Sequence, residues 1–99
     1  MHRFPILINV IVVCISLMPG CAAAPVQEMS DARQAIQAAQ EAGAENSAVN
    51  EYQEAQRLLE LAEDQLDQQH YRKARRTALS AKEMAIQSRE IARESAATP

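Results

Sequence analysis

The 99-residue chain has a formal net charge of −3, one Phe, two Tyr and no Trp. From residue 21 onward, 19 of its 79 residues are Ala and only 14 are large and apolar, too few for a core deep enough to enclose a substrate pocket. β-branched and aromatic residues are scarce after residue 26, while the helix formers Ala, Gln, Glu, Arg and Leu dominate. This argues against a sheet protein, and the acidic total gives no reason to expect nucleic acid as a partner.

Met1-His2-Arg3 makes a short basic start. Residues 6–18 are then apolar except for Asn9, Cys14 and Ser16. Thirteen residues of helix span about 20 Å, short of a hydrocarbon core of about 30 Å. Length and flanks fit the apolar region of an export signal. A buried helix or a short membrane anchor is the poorer reading, because everything after Pro25 is polar or Ala-rich and could not cover this segment.

Leu17-Met18-Pro19-Gly20-Cys21 resembles a bacterial lipoprotein cleavage box, in which an apolar residue, a small residue and then Gly or Ala precede Cys. Met18, Gly20 and Cys21 match in kind, and Pro19 departs from the pattern. Bulky Val13 before Cys14 rules that cysteine out as the modified one. The resemblance implies that residues 1–20 are removed and that the Cys21 thiol receives a diacylglycerol through a thioether. The new amine would be acylated as well. Each buried CH₂ contributes about 0.8 kcal/mol, so one acyl chain holds reversibly and two or more hold stably. No thiol would then remain for a disulfide. Ala22, where Asp would signal retention, implies sorting to the outer membrane. Residues 21–27, ending just after Pro25, read as a small-residue tether without structure.

Three helical segments follow. The first is expected over residues 28–42, with Met29, Ala32, Ile36 and Ala39 on one face, Ser30 or Asp31 as cap, and Gly43 as terminator. The second is expected over 47–68, with a stripe of Ala48, Tyr52, Ala55, Leu59, Ala62 and Leu66 widened by Leu58 and Leu61. The third is expected over 71–95. Its stripe, from Tyr71 and Ala74 through Ala78, Ala81, Ala85 and Ser88 to Ala92, alternates spacings of 3 and 4. Leu79 and Ile86 flank it on one side, Met84 and Ile91 on the other. A centre made of Ala permits close helix approach, and bulky flanks on both sides imply two neighbours.

No Gly or Pro separates the second and third segments, so propensity alone would join them into one helix. Phase argues otherwise. The stripe would continue from Leu66 to Gln69, yet it resumes at Tyr71, and a slip of two residues rotates it by about 200°. A turn over residues 68–70 restores a common seam. Charge changes sign at the same place: residues 21–69 hold two bases against ten acids, and residues 70–99 hold seven bases against three acids. Glu60, Glu63, Asp64 and Asp67 are therefore expected to pair with Arg72, Lys73, Arg75 and Arg76 across an antiparallel hairpin. Along the seam Leu66 should meet Ala74, Leu59 should meet Ala78, Tyr52 should meet Ala85, and Ala48 should lie near Ile91. The first helix should cross this pair, with Met29, Ile36 and Ala39 against Leu58, Met84 or Ile86. The fold class expected is thus all-α, a small three-helix arrangement with an antiparallel hairpin, in an Ala-rich domain of residues 28–96.

The run from Pro25 to Ile36, then Ala42-Gly43-Ala44, Leu58-Leu59, Ala62, Leu66 and Tyr71-Arg72-Lys73-Ala74-Arg75 resembles the small Ala-rich Gram-negative lipoproteins grouped as domain of unknown function 4398. The likeness covers nearly the whole chain after the signal. Two departures stand out. Asn46-Ser47-Ala48 replaces a Tyr-Ala-Pro-like start of the second helix, and Gln69-His70 replaces a Gly before the second Tyr. The resemblance implies an envelope lipoprotein without known activity. Ala at helical spacing also resembles tetratricopeptide helices, but one helix pair does not make a solenoid.

The sequence holds no catalytic set. After the signal, His70 is the only His, with no cluster of ligands at metal spacing, so no metal or other cofactor is expected. There is no Ser/His/Asp arrangement, no Cys nucleophile and no Gly-rich phosphate loop. Arg75, Lys82 and Arg89 form an i, i+7, i+14 stripe that could face phosphate head groups, an acidic partner or the second helix. The expected function is a non-enzymatic, lipid-anchored envelope protein, a helical binding or adaptor module at the periplasmic face of the outer membrane. Its expected partners are the membrane, through lipid on Cys21, and an envelope protein. The alternative is a structural spacer that self-associates as a coiled coil, against which the terminal Ala97-Thr98-Pro99 lacks the Lys needed for attachment to the wall.

Overall fold

The structure, a computed structural model, describes residues 24–98. These residues form helices α1 (Val26–Glu41), α2 (Ala44–Ser47), α3 (Val49–Asp67) and α4 (Tyr71–Ala97), with no strand among them. The fold is all-α, as composition and periodicity required. Residues 1–20, read above as an export signal, and Cys21 lie outside the described residues.

Helix α1 starts two residues earlier than expected, and neither Ser30 nor Asp31 caps it. Pro25 occupies the N-cap position with φ −78° and is buried, and its carbonyl accepts the Met29 N–H at 3.0 Å. A proline here loses no hydrogen bond, since the first N–H groups of a helix have no internal partner. Burying Pro25 and Met29 together outweighs what a polar cap offers. Ser30 and Asp31 sit within the helix instead, accepting bonds from Gln34 and Gln27.

The first connection is more structured than a loop. Gly43 takes the left-handed conformation, φ 85°, and its N–H bonds the Gln40 carbonyl at 3.0 Å, closing α1 as a C′ glycine does. Its own carbonyl then accepts the Asn46 and Ser47 N–H groups, both at 3.1 Å, and starts the single turn α2. Ala48, at φ −142° and ψ 53°, separates α2 from α3. The turn α2 thus forms within the expected connection, and the second helix starts two residues later than expected. Ala44 and Ala48 are both buried and fasten the connection to the core.

The turn read from the phase slip is present. Gln69 is left-handed at φ 63° and donates its N–H to the Leu66 carbonyl at 2.9 Å. The His70 N–H reaches the Gln65 carbonyl at 2.8 Å. These two bonds make a Schellman motif, which usually carries Gly where this chain has Gln69. Helix α4 then runs back along α3, and this is the most extensive helix pairing in the bundle.

The core is built almost wholly of Ala. Ala39, Ala55, Ala62, Ala74, Ala78, Ala81 and Ala85 have no exposed surface, whereas Met29, Ile36 and Tyr52 are the large apolar residues buried with them. Tyr52, Ala55, Ala85 and Ala92 share one cluster with Ile36 and Ala39, and Met29, Ala62 and Ala78 form a second. Leu59, which bridges the two clusters, Leu66, Met84 and Ile91 close the edges. Small side chains at the centre let helix axes come close, and larger ones wrap the margins. The 3-4 alternation along α4 is the 3.5-residue period that keeps one seam facing its neighbours.

Helix α1 does not lie across the hairpin as expected. Its start is beside the start of α4 and its end beside the end of α4, so it runs in the same sense as α4 and opposite to α3. Met29 packs with Ala62 and Ala78 rather than on a flank. Leu58 belongs to neither cluster and Ile86 is 38% exposed, but Met84, the third flank expected, packs against the cluster of Ile36 and Ala39.

Candidate functional site

The surface with the most distinctive chemistry follows from the register of α4. Its seam residues turn inward, so the residues one position further along are rotated by about 100° toward α1. That adjoining stripe carries five bases, Arg72, Arg75, Lys82, Arg89 and Arg93, and two apolar residues, Leu79 and Ile86. It repeats the 3-4 spacing and contains no acid. Leu79 and Ile86 are 44% and 38% exposed, so this flank is not part of the core.

Arg75 shows what the stripe faces. Its Nε donates to Oε1 of Glu28 at 3.0 Å, joining α4 to α1. A second pair, Arg33 Nη2 to Glu63 Oε1 at 3.6 Å, joins α1 to α3. These interhelix pairs both run through α1, and the expected ladder from Glu60, Glu63, Asp64 and Asp67 to the α4 bases is not among the pairs formed by the described residues. The reason is geometric. The seam between α3 and α4 is filled by Ala and Leu, and its charged residues project to the two outer sides of the hairpin. The inserted first helix is what reaches them.

Beyond Arg75 the two parallel helices leave an open groove. One stretch, of about 340 Å³, lies between Asp31, Gln34, Ala35 and Ala38 of α1 and Lys82, Ile86 and Arg89 of α4. The next, of about 370 Å³, continues along Ala38, Glu41 and Ala42 to Arg89, Arg93 and Ala96. Ala38 and Arg89 line both, so the stretches form one groove with Ala, Gln34 and the acids Asp31 and Glu41 on its α1 side and bases with Ile86 and Ala96 on its α4 side. At the other end Arg72, Arg75 and Arg76 surround a further hollow of about 340 Å³. Arg93 holds a loose pair with Glu90 at 3.8 Å, with both side chains more than half exposed.

Two buried polar side chains, Ser88 and Tyr52, lie inside the bundle. Ser88 Oγ donates to the Ala85 carbonyl of its own helix at 2.8 Å. Tyr52 is buried, and desolvation, with a smaller push from the Glu45 carboxylate, raises its phenol above the ordinary value. On the surface, the hydrogen bond from Arg57 holds the Glu54 carboxyl below its usual range. No group of three or more His, Cys, Asp or Glu side chains able to hold a metal occurs among the described residues. His70 is exposed in the turn. Among the described residues no helix is long and apolar enough to cross a membrane.

Of the residues singled out from sequence, the structure brings Lys82 and Arg89 onto one side of one groove, with Arg75 on the same side of α4 beyond its end. Their expected alternative partner, the second helix, is replaced by the first. Arg72, Arg93, Leu79 and Ile86 belong to the same surface. The signal for them was available, since they complete the 3-4 repeat one residue after the core stripe. The Ala35, Ala38 and Ala42 side of the groove could not be assigned without knowing where α1 packs.

This small helical bundle, with its Ala seam and basic outer stripe, matches one family model, Domain of unknown function (DUF4398), over residues 27–98. The chain belongs to that family. Neither the curated proteins nor the solved structures contain a match to it.

Proposed function

We propose that the protein is a non-enzymatic, lipid-anchored adaptor of the cell envelope, held at the periplasmic face of the outer membrane by lipid on Cys21. The observation that carries this reading is the Leu17-Met18-Pro19-Gly20-Cys21 box lying only four residues before buried Pro25, where the bundle begins. The open groove between α1 and α4 supports binding to a surface rather than to a small molecule. Mass spectrometry of the membrane fraction should find a processed chain starting at lipid-modified Cys21, co-fractionating with outer-membrane markers. A chain that keeps residues 1–20 without modification would overturn the anchor. Crosslinking in cells, followed by identification of the attached protein, would supply the partner.

A second reading, a self-associating spacer, draws on the exposure of Leu61 and Leu79. Sedimentation of a Cys21→Ser form separates the two: a monomer supports the adaptor, and a stable oligomer supports the spacer.

A further inference from the structure

The basic stripe of α4 has a length, a charge and a position relative to Cys21 that together specify what it meets. From Arg72 to Arg93 it runs 21 residues, about 32 Å of helix. Five of the seven bases in α4 lie on it, while the acids Glu83, Glu90 and Glu94 lie off it. Leu79 and Ile86 stand exposed between the bases. This is the make-up of a helix face that lies in a membrane interface, with cations toward head groups and aliphatic side chains toward the acyl boundary.

The rest of the bundle is charged in the opposite sense. Helix α3 carries Glu51, Glu54, Glu60, Glu63, Asp64 and Asp67 against Arg57 alone. The stripe occupies the α1 side of the α4 seam, away from α3. Glu28, paired with Arg75, and Asp31 and Glu41 along the groove offset three of the five stripe bases, so the α1–α4 side keeps a small positive excess while α3 is strongly negative. A negatively charged plane would orient such a body with the α1–α4 side toward it and α3 away.

The anchor brings the plane within range. Only three residues separate Cys21 from Pro25, a link that extends to at most about 14 Å. The Glu28–Arg75 bond places the start of α1 at the Arg72 end of the stripe. A lipid on Cys21 therefore holds that end close to the bilayer, within one or two screening lengths of about 8 Å. Tethering makes the head groups an intramolecular target at high effective concentration.

We propose that this stripe rests on the anionic phospholipid head groups of the bilayer that holds Cys21, laying the bundle on its α1–α4 side with acidic α3 turned to the aqueous phase. The proposal rests on the lipid-anchor reading, and its test separates the two. The lipidated protein, purified from membranes, has Cys14 removed and the Cys21 thiol blocked. One thiol can then be introduced for a polarity-sensitive dye, by Leu79→Cys on the stripe or by Gln53→Cys on the exposed outer face of α3. Each is reconstituted into vesicles of phosphatidylcholine alone or mixed with phosphatidylglycerol.

The Leu79→Cys dye should shift to the blue on the anionic vesicles only. The shift should fade in 0.5 M salt, by about the screening expected there, while the Gln53→Cys dye stays in water throughout. Lys82→Glu with Arg89→Glu should abolish the shift with helicity unchanged. A Leu79→Cys dye that stays in water on both vesicles would overturn the proposal. So would an equal shift on neutral vesicles, or protection that appears only when an envelope protein is added. Failure of the anchor reading shows differently, as a Cys21 thiol that itself takes the dye. Unlipidated protein floated with the same two vesicle types then tests the stripe alone: selective flotation with anionic vesicles supports it, and flotation with neither overturns it.

Discussion

Two neighbouring stripes of α4 differ by a single residue of register and have opposite fates. Ala74, Ala78, Ala81, Ala85, Ser88 and Ala92 are at most 1% exposed and hold α4 in the bundle. One position on, the adjoining stripe is mostly Arg and Lys, and its two aliphatic residues are left in solvent. The seam works through close approach, so it tolerates neither charge nor bulk. The outer stripe contributes little to folding, so its composition is free to serve recognition. In a chain with so few large apolar residues, a rotation of about 100° is the whole distance between stability and interaction.

The contrast breaks hardest at its centre. Ala78→Glu should lower unfolding stability by about 3 kcal/mol or more, because an unpaired carboxylate would replace a methyl group in the second cluster. Ser80→Glu, exposed two residues away, should change stability by less than about 0.5 kcal/mol. Urea denaturation followed by circular dichroism compares them directly. Equal losses would mean that the seam is not the tight element described here.

The seam exists only if the chain reverses at Gln69. A non-Gly residue held left-handed carries a local cost, so Gln69→Gly should raise stability by about 1 kcal/mol, seen as a higher urea midpoint with the same slope. No gain would mean that the turn is not held in this conformation.

Glu28→Gln tests the one place where the outer stripe contributes to the fold. The pair with Arg75 is partly exposed, so its loss should cost less than about 1 kcal/mol, and less again at high salt.

Tyr52 distinguishes the two sides by pH. Its phenol is raised above its ordinary value of 10.0, so the folded state holds that proton more tightly than the unfolded chain. The contribution is complete below pH 10 and is lost as pH rises through the folded value. Tyr52→Phe should flatten this alkaline loss in a pH series of thermal melts.

The smallest effect belongs to the outer stripe. Lys82→Glu with Arg89→Glu should leave stability within about 0.5 kcal/mol per substitution of the parent, although it reverses the charge of the groove.

Much of this contrast was legible in the chain. The 3-4 spacing from Tyr71 to Ala92 marked the seam, and the slip after Leu66 marked the turn even though Gln69 looks nothing like a turn residue. Gly43 announced the first reversal through its own conformational freedom. The α2 turn left no comparable mark, because Ala44 and Ala48 are ordinary helix residues until their burial is known. The caps assigned to Ser30 and Asp31 failed for a similar reason. Local propensity favoured them, but the packing of Pro25 and Met29 set the start of α1.

Charge was the least legible property. The acidic and basic halves gave correct signs but the wrong partner, since a sequence shows which residues are charged and not which helix stands between them. The sequence by itself determined an all-α bundle with an Ala seam, because helical period and side-chain size are local and act through the nearest turn of helix. Only the tertiary structure decided that α1 runs alongside α4, that Glu28 takes Arg75, and that Ala35, Ala38 and Ala42 line a groove beside Lys82 and Arg89. Those outcomes depend on how three similar Ala faces share one core, a choice made by the sum of many small packing terms rather than by any residue alone.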